Sequence, residues 1–465
     1  MRSWRLPIVL LIAGAIGIGA LLLYNYRTKQ ELDSKLWIPS PVKVTPEIAR
    51  LQEYVRIDTS KKNEIDGAKY LAAVLAKAGV RSEIIESEPG RANLYARIEG
   101  KRDGDALLLL NHIDVVPAPA AGWSSPPFAA SVQMNMIVGR GTLDMKGIAV
   151  CQLEAFLDVA RSGRTPERDL VFLATADEEN DGGLGVGWLI EHRPDVFEGV
   201  RYALNEGGIT ETQQERLSYF GIEIGTKMVC RLRLHAPARE TLQRVRLALE
   251  PQIAPPDPHR ILPEVREFLH DLAPLRVERR NELDDVVRTV AAGKFWLLPP
   301  GYRELTQNVM WLDGVRAEGN GYVMAVNLFN LPDELPERRI EQVRKEVAPF
   351  GVTVEVLRTS GPAPITSRRT PMWSLLAREI VREYGGGFLI GSEILTASYN
   401  DSRYLRARGI DAYGLWPFPV DYYQTEGIHS VDERIRADWF LRGVSLTRRV
   451  VGAFAFEALP PVPSR

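Results

Sequence analysis

The stretch ALLLLNHIDVVP, residues 106–117, decides the fold class. Its first five residues form a continuous apolar run, which suits a strand covered on both faces by helices. Polar, chemistry-bearing side chains, Asn111, His112 and Asp114, follow at its carboxyl end. Outward from this run, Ala92–Ile98, Leu170–Thr175 and Tyr202–Leu204 also read as strands. Between them, Gly67–Ala78 and Gly147–Ala160 carry apolar residues at spacings of three and four, as helices packed on a sheet do. This alternation, from Thr45 to about residue 225, predicts an α/β domain with a mostly parallel sheet.

Residues 226–362 depart from the pattern, with strands at Met228–Leu234 and Tyr322–Leu328, charged helices around 263–290 and a helix at Glu337–Val347. They read as a separate α+β insert. The α/β pattern resumes with a helix at Pro371–Tyr384 and closes with one near Ala437–Phe456. The expected organisation is therefore an N-terminal segment over 1–28, an α/β domain in two parts over 45–225 and 363–456, and the insert over 226–362.

The whole chain of 465 residues is 45% hydrophobic and 25% charged, the balance of a globular protein, so a mainly disordered state is excluded. A formal charge of −2 leaves no basic field for nucleic acid. Two cysteines, Cys151 and Cys230, cannot build a disulfide framework or a thiolate zinc site. Leu6–Tyr24 is an uncharged, nearly continuous apolar run of 19 residues, long enough as a helix to cross a bilayer. Arg2 and Arg5 precede it, and no small-x-small cleavage site follows Leu21-Leu22-Leu23, which favours a retained membrane anchor over a cleaved signal. The expectation is an extracytoplasmic catalytic domain, anchored to the membrane, or secreted if the segment is cleaved.

Five loops carry candidate chemistry: His112 and Asp114; Asp144 in GRGTLDMKG; Asp177-Glu178-Glu179 after Leu170–Thr175; Glu206 after Tyr202–Leu204; and His429 in GIHSVDERI. Taken singly, each has a plainer reading, such as a hydrogen-bonded strand-end histidine, a helix cap at Asp144 or a solvated acidic loop. Together they place His, Asp and Glu side chains at one edge of one sheet, where α/β proteins bind ligands.

With these loops in view, the chain resembles the M20 family of metallopeptidases, which includes aminoacylases, glutamate-type zinc carboxypeptidases and N-acyl-amino-acid hydrolases. The stretches that carry the resemblance are NHIDVVP (111–117), GRGTLDMKG (139–147), TADEEN (175–180), NEGG (205–208), NDSRY (400–404) and GIHSVDERI (427–435), over about 45–455. The resemblance implies a zinc-peptidase catalytic domain interrupted by a lid. It implies two divalent ions, zinc by donor type with cobalt or manganese as alternatives, held by His112, Asp144 and Glu206 and by Asp144, Glu179 and His429. Glu178 matches the family's catalytic base, and Asp114 supports catalysis by holding the His112 ring. Implied partners are a small peptide or N-acyl amino acid and, through the insert, a second copy of the chain.

The insert departs from the family. His235 stands where a lid histidine is expected but lacks its Gly and Ser-Ser neighbours, and Phe329 occupies the place of a carboxylate-gripping arginine. Asn308 in NVM still matches, and Arg403 offers a cation after the NDS turn. His235, Asn308 and Arg403 are therefore the candidate substrate-binding residues. The expected function is cleavage of an amide bond in a peptide or N-acyl amino acid by a metal-bound hydroxide, with a Glu as general base. The alternative is a non-catalytic metal-binding or scaffold protein on a peptidase fold.

Overall fold

In the computed structural model of the chain, the described residues are 43–213, 216–250, 257–298, 300–359, 364–395, 400–420 and 427–462. The described residues divide into a small unit, with Lys43 and Val132–Asn135, and a large unit that holds the others. In the small unit the described segment Val132–Asn135 turns at Met134 and Asn135, both at positive φ.

The large unit holds the rest of the fold. In chain order it runs α1 (Pro46–Val55), α2 (Glu64–Lys77), β1 (Ser82–Glu88), β2 (Arg91–Ile98) and β3 (Arg102–His112). After β4 (Ser131–Gln133) come β5 (Met136–Val138), α3 (Lys146–Arg161), β6 (Arg168–Thr175), α4 (Val186–His192), β7 (Val200–Asn205), β8 (Thr210–Gln213) and β9 (Arg216–Thr226). The insert contributes β10 (Met228–Ala236), α5 (Arg239–Leu249), α6 (Pro263–Leu272), α7 (Arg280–Asp284), α8 (Val286–Ala291), α9 (Pro300–Glu304) and β11 (Val309–Leu312). It continues through β12 (Arg316–Glu318), β13 (Gly321–Asn330), α10 (Pro336–Val347) and β14 (Thr353–Thr359). The C-terminal part adds α11 (Pro371–Tyr384), β15 (Leu389–Leu395), α12 (Ser402–Ala407), β16 (Asp411–Gly414), β17 (Arg434–Arg436) and α13 (Ala437–Phe456).

The main sheet has the order β1-β2-β6-β3-β7-β16-β9-β15, with β8 on β9. Its centre, β6-β3-β7-β16, is parallel, as is β9 with β15. The β1–β2, β2–β6, β16–β9 and β8–β9 pairs are antiparallel. The expected mostly parallel sheet is thus corrected to a mixed one. Each parallel crossover needs a helix to return the chain, whereas β1–β2 and β8–β9 are joined by short turns that permit only antiparallel pairing. Ala106–Leu110 lie fully buried in the middle of the parallel set, as their unbroken apolar run requires. One sheet face packs Leu108, Leu110, Val171 and Leu173 against Val186 and Leu189 of α4 and Leu405 of α12. Helix α3 packs against α13, α1 and the sheet, which explains why nearly all its residues are buried.

The insert builds a second sheet, β11-β13-β10-β14, with β12 on β13. Strand β10 alternates: Cys230, Leu232 and Leu234 point into a core closed by Leu242, Val245 and Leu249 of α5 and Ile340, Val343 and Val347 of α10. Arg231, Arg233 and His235, one residue out of phase, occupy the opposite face.

The expected N-terminal transmembrane helix is corrected. Among the described residues no helix is long and apolar enough to cross a membrane, and Leu6–Tyr24 lies outside the described residues. The two longest described helices, α3 and α13, are largely buried in the large unit and carry charges such as Glu154, Asp158, Arg442, Arg448 and Arg449. The membrane partner and the anchored, extracytoplasmic location rested on that N-terminal segment alone, and no helix among the described residues supports them.

Behind the carboxyl edge of the sheet sits a buried ion pair, Glu223 of β9 with Arg406 of α12, 2.8 Å apart and both almost fully shielded from solvent. Arg406 also donates to the Ala412 carbonyl, and Asn400 reaches Glu223 at 3.4 Å. Glu223→Ala would strand the guanidinium in the core and should lower unfolding stability by about 3–5 kcal/mol, measured in urea. A loss below about 1 kcal/mol would show that the pair is not electrostatically essential.

Candidate metal centre

The site follows from strand polarity. In register, His112 of β3 lies beside Thr175 of β6, and Leu109 beside Leu204 of β7. Three adjacent parallel strands therefore end together, and the residues just beyond them, Asp114, Glu178, Glu179 and Glu206, share one edge. A ribbon of β5 and β17 brings the other two, Asp144 and His429, over that edge.

Asp144 lies at the centre. One carboxylate oxygen is 3.0 Å from His112 Nε2 and the other 3.1 Å from His429 Nε2. Glu206 approaches His112 Nε2 at 3.9 Å, and Glu179 lies 3.0 Å from His429 Nε2. Two trios result, His112–Asp144–Glu206 and Asp144–Glu179–His429, each with donor atoms within 4.8 Å of one another. His112 is buried while the His429 side chain is 49% exposed, so the centre opens to solvent on the His429 side.

Asp114 meets the His112 ring and also the turn after Ala176. His112 Nδ1 lies 2.8 Å from the Asp114 backbone carbonyl and 3.6 Å from its carboxylate. The carboxylate also accepts the backbone N–H groups of Glu178 and Glu179, at 3.2 and 3.1 Å. It thereby fixes the short turn Glu178–Asn180 beneath the two histidines. Asp177, in the left-handed region at φ 70°, starts that turn and is held at 2.6 Å by buried Arg91, which also pairs with Glu64.

The acids and rings perturb one another. Burial opposes a charged His112, yet Asp114, Asp144 and Glu206 raise its pKa well above the usual imidazole value. Asp144 and Glu179 raise His429 to about 10. Asp144 is held well below the usual carboxylate range, because its contacts with both rings outweigh burial. Glu206 and Glu178 are pushed well up, first by burial and then by neighbouring acids, with His112 opposing the shift. Glu179 is raised by burial and by Asp144. This donor set fits divalent cations: imidazole and carboxylate without thiolate, with acids in mutual repulsion that only added positive charge relieves.

NDSRY is not a surface turn, since Asn400, Asp401, Ser402 and Arg403 are all buried. Asn400 donates to the Glu206 carbonyl at 2.9 Å, and Ser402 accepts from Asn205 at 3.1 Å. The Arg403 guanidinium donates to the Asp181 carbonyl and pairs with its carboxylate, which Arg358 of β14 also meets. Arg403 therefore braces the loop after Glu179. The other two substrate candidates lie in the insert. His235 is on the outer face of β10, 2.8 Å from Glu355 of β14. Asn308 accepts from the Leu331 N–H at 2.8 Å and donates to Glu334. The structure does not bring either to the two trios. Phe329 packs with Val229 and Val309 and lies 4.6 Å from the Trp311 ring.

Sequence reasoning missed Arg91, Glu433, Arg140 and Arg358. Glu433 and Arg140 stood inside quoted motifs, and their burial is the signal that only the folded chain provides.

The sheet edge, the central Asp144 carboxylate and the paired trios form a candidate site for two metal ions. The model of peptidase family M20/M25/M40 matches residues 108–453, well over half of the chain, and the chain belongs to that family. A probable succinyl-diaminopimelate desuccinylase of Staphylococcus aureus is 34% identical over 136 residues, which are 29% of this chain and 33% of that protein. A succinyl-diaminopimelate desuccinylase of Bradyrhizobium sp. is 42% identical over 116 residues, 24% of this chain and 30% of that protein. The chain thus spans about a third of the length of these curated relatives. Among solved structures, an M20 family metallo-carboxypeptidase from Sulfolobus solfataricus superimposes with a TM-score of 0.68 at 16% identity, covering 88% of this chain and 99% of that one. Human carnosine dipeptidase 1 gives 0.65 at 14% identity, covering 87% and 95%. At these identities the likeness is one of fold.

Proposed function

We propose that the protein hydrolyses an amide bond of a small N-acyl amino acid or short peptide. In this reading His112, Asp144 and Glu206 hold one divalent ion, and Asp144, Glu179 and His429 the other. The observation that carries it is Asp144, whose two oxygens each face a different histidine while each histidine has its own further acid. Bound divalent ions would supply Lewis acidity toward the carbonyl and lower the pKa of water. The chain's own residues do the rest. Glu178, buried and raised in pKa, takes a proton from the attacking water and passes it to the departing amine. Asp114 holds Glu178 and Glu179 by their backbone N–H groups, so the proton carrier and a ligand move as one unit. Arg403 and Asn400 brace the loops that present Glu179 and Glu206.

The names of the partial-length relatives favour N-acyl substrates. With Phe329 in an apolar cluster and Arg403 committed to Asp181, recognition of a free α-carboxylate should be less strict than in an arginine-gripped site. The test is a hydrolysis screen of N-succinyl and other N-acyl amino acids, dipeptides and their carboxy-amidated counterparts, with zinc, cobalt or manganese added. Turnover of at least one class is expected, with less than about tenfold loss on amidation, below the 1.5–3 kcal/mol of a charge-assisted bond. Binding of ions without any turnover would favour the non-catalytic metal-binding reading.

A further inference from the structure

We infer that Glu433 and Arg140 form a buried clamp that sets the spacing between Asp144 and His429 and thereby governs affinity for the ion assigned to the Asp144–Glu179–His429 trio. The inference rests on the metal reading proposed above.

Strands β5 and β17 pair antiparallel, Val138 opposite Arg434, and the Gly139 N–H donates to the Glu433 carbonyl at 2.8 Å. Beyond that last rung the ribbon forks. One arm runs forward from Gly139 to Asp144, and the other runs back from Glu433 to His429. Neither arm is a strand, and Gly141, His429 and Asp432 have positive φ, so no ladder carries the ribbon's geometry out to the two side chains. The clamp fills that role. Glu433 Oε1 accepts the N–H groups of Leu143 and Asp144, at 2.8 and 3.2 Å. Its Oε2 meets Arg140 Nη1 at 2.6 Å, and Arg140 Nη2 donates to the His429 carbonyl at 3.1 Å. A single hydrogen-bonded chain thus joins the backbone of one proposed ligand to that of the other.

Both side chains are almost wholly buried, Glu433 at 0% and Arg140 at 3% exposure. Apolar residues of similar volume would often fill such a space at equal or better stability. They could not accept two N–H groups on one arm while donating to a carbonyl on the other. Both groups are positioning residues. The effect should be uneven between the trios, because His112 is anchored by β3 and by the Asp114 carbonyl, independently of the clamp.

The test titrates the metal-free full chain with Zn²⁺ alone by calorimetry, for wild type, Arg140→Met, Arg140→Lys and Glu433→Gln, beside the thermal midpoint of each metal-free protein. Two ions should bind to wild type. Arg140→Met should weaken one ion by roughly 10–100-fold and leave the other within about threefold, the range seen when a group behind a ligand is lost. Should that variant not fold, Arg140→Lys decides, since lysine can pair with Glu433 but lacks the fork that also reaches His429. Glu433→Gln should weaken the same ion, since the amide still accepts both N–H groups but loses the charge that orients Arg140. Equal weakening of both ions in step with a lowered metal-free midpoint, or wild-type affinity for both in a folded variant, overturns the clamp alone. A wild-type chain that takes up no second ion overturns the metal reading and the clamp together.

Discussion

Asp144→Ala should abolish binding of both divalent ions, taking the purified protein from about two per chain to none by elemental analysis. Each trio would retain one imidazole and one carboxylate, too few donors for a tight site in water. The effect exceeds that of any other single ligand because both Asp144 oxygens are engaged, at 3.0 and 3.1 Å from different rings. Its backbone N–H, which holds the loop on Glu433, is untouched by the change, so loss of ions would not reflect loss of the loop. His429→Ala is the matching control and should cost one ion only. Full occupancy in Asp144→Ala would overturn the bridging role.

Glu178→Gln should lower kcat by roughly 10²–10⁴-fold while both ions stay bound and KM stays near the wild-type value. Glutamine keeps the volume of the buried side chain, and the backbone N–H that Asp114 holds is unchanged. What is lost is the ability to take and return a proton. Glu178 suits that task because burial raises its pKa from the carboxylate range, while its neighbour Glu179 faces His429. Steady-state kinetics on a substrate found in the screen, beside metal analysis of the same preparation, checks both halves. Undiminished turnover would remove Glu178 from the chemistry.

The strand-end loops were legible because a parallel sheet delivers every strand's carboxyl end to the same edge. Apolar runs that predict neighbouring parallel strands therefore also predict that the polar residues after them converge. His112, Glu178, Glu179 and Glu206 were found in this way. Asp144 and His429 were legible only as candidate residues in glycine-containing loops, since their ribbon strands, Met136–Val138 and Arg434–Arg436, are too short to show any periodicity. The short antiparallel pairs at both ends of the main sheet were hidden for a related reason. Ser82–Glu88 alternates charged and apolar residues on an edge strand, and reads as easily as a loop.

By itself, then, the sequence determined the α/β class and the residue types that gather at the sheet edge. These depend on local patterning along a chain of 465 residues. Tertiary structure alone decided what each polar group serves. It gave Asp114 the Glu178–Glu179 turn to hold as well as the His112 ring, and it drew Arg403 into Asp181. It also left His235 on an outer sheet face against Glu355, and joined Glu433 to Arg140 across 293 positions of sequence. The physical reason is that a buried hydrogen bond or ion pair is set by which partner lies within about 3 Å once water is excluded, and sequence separation carries no information about that distance.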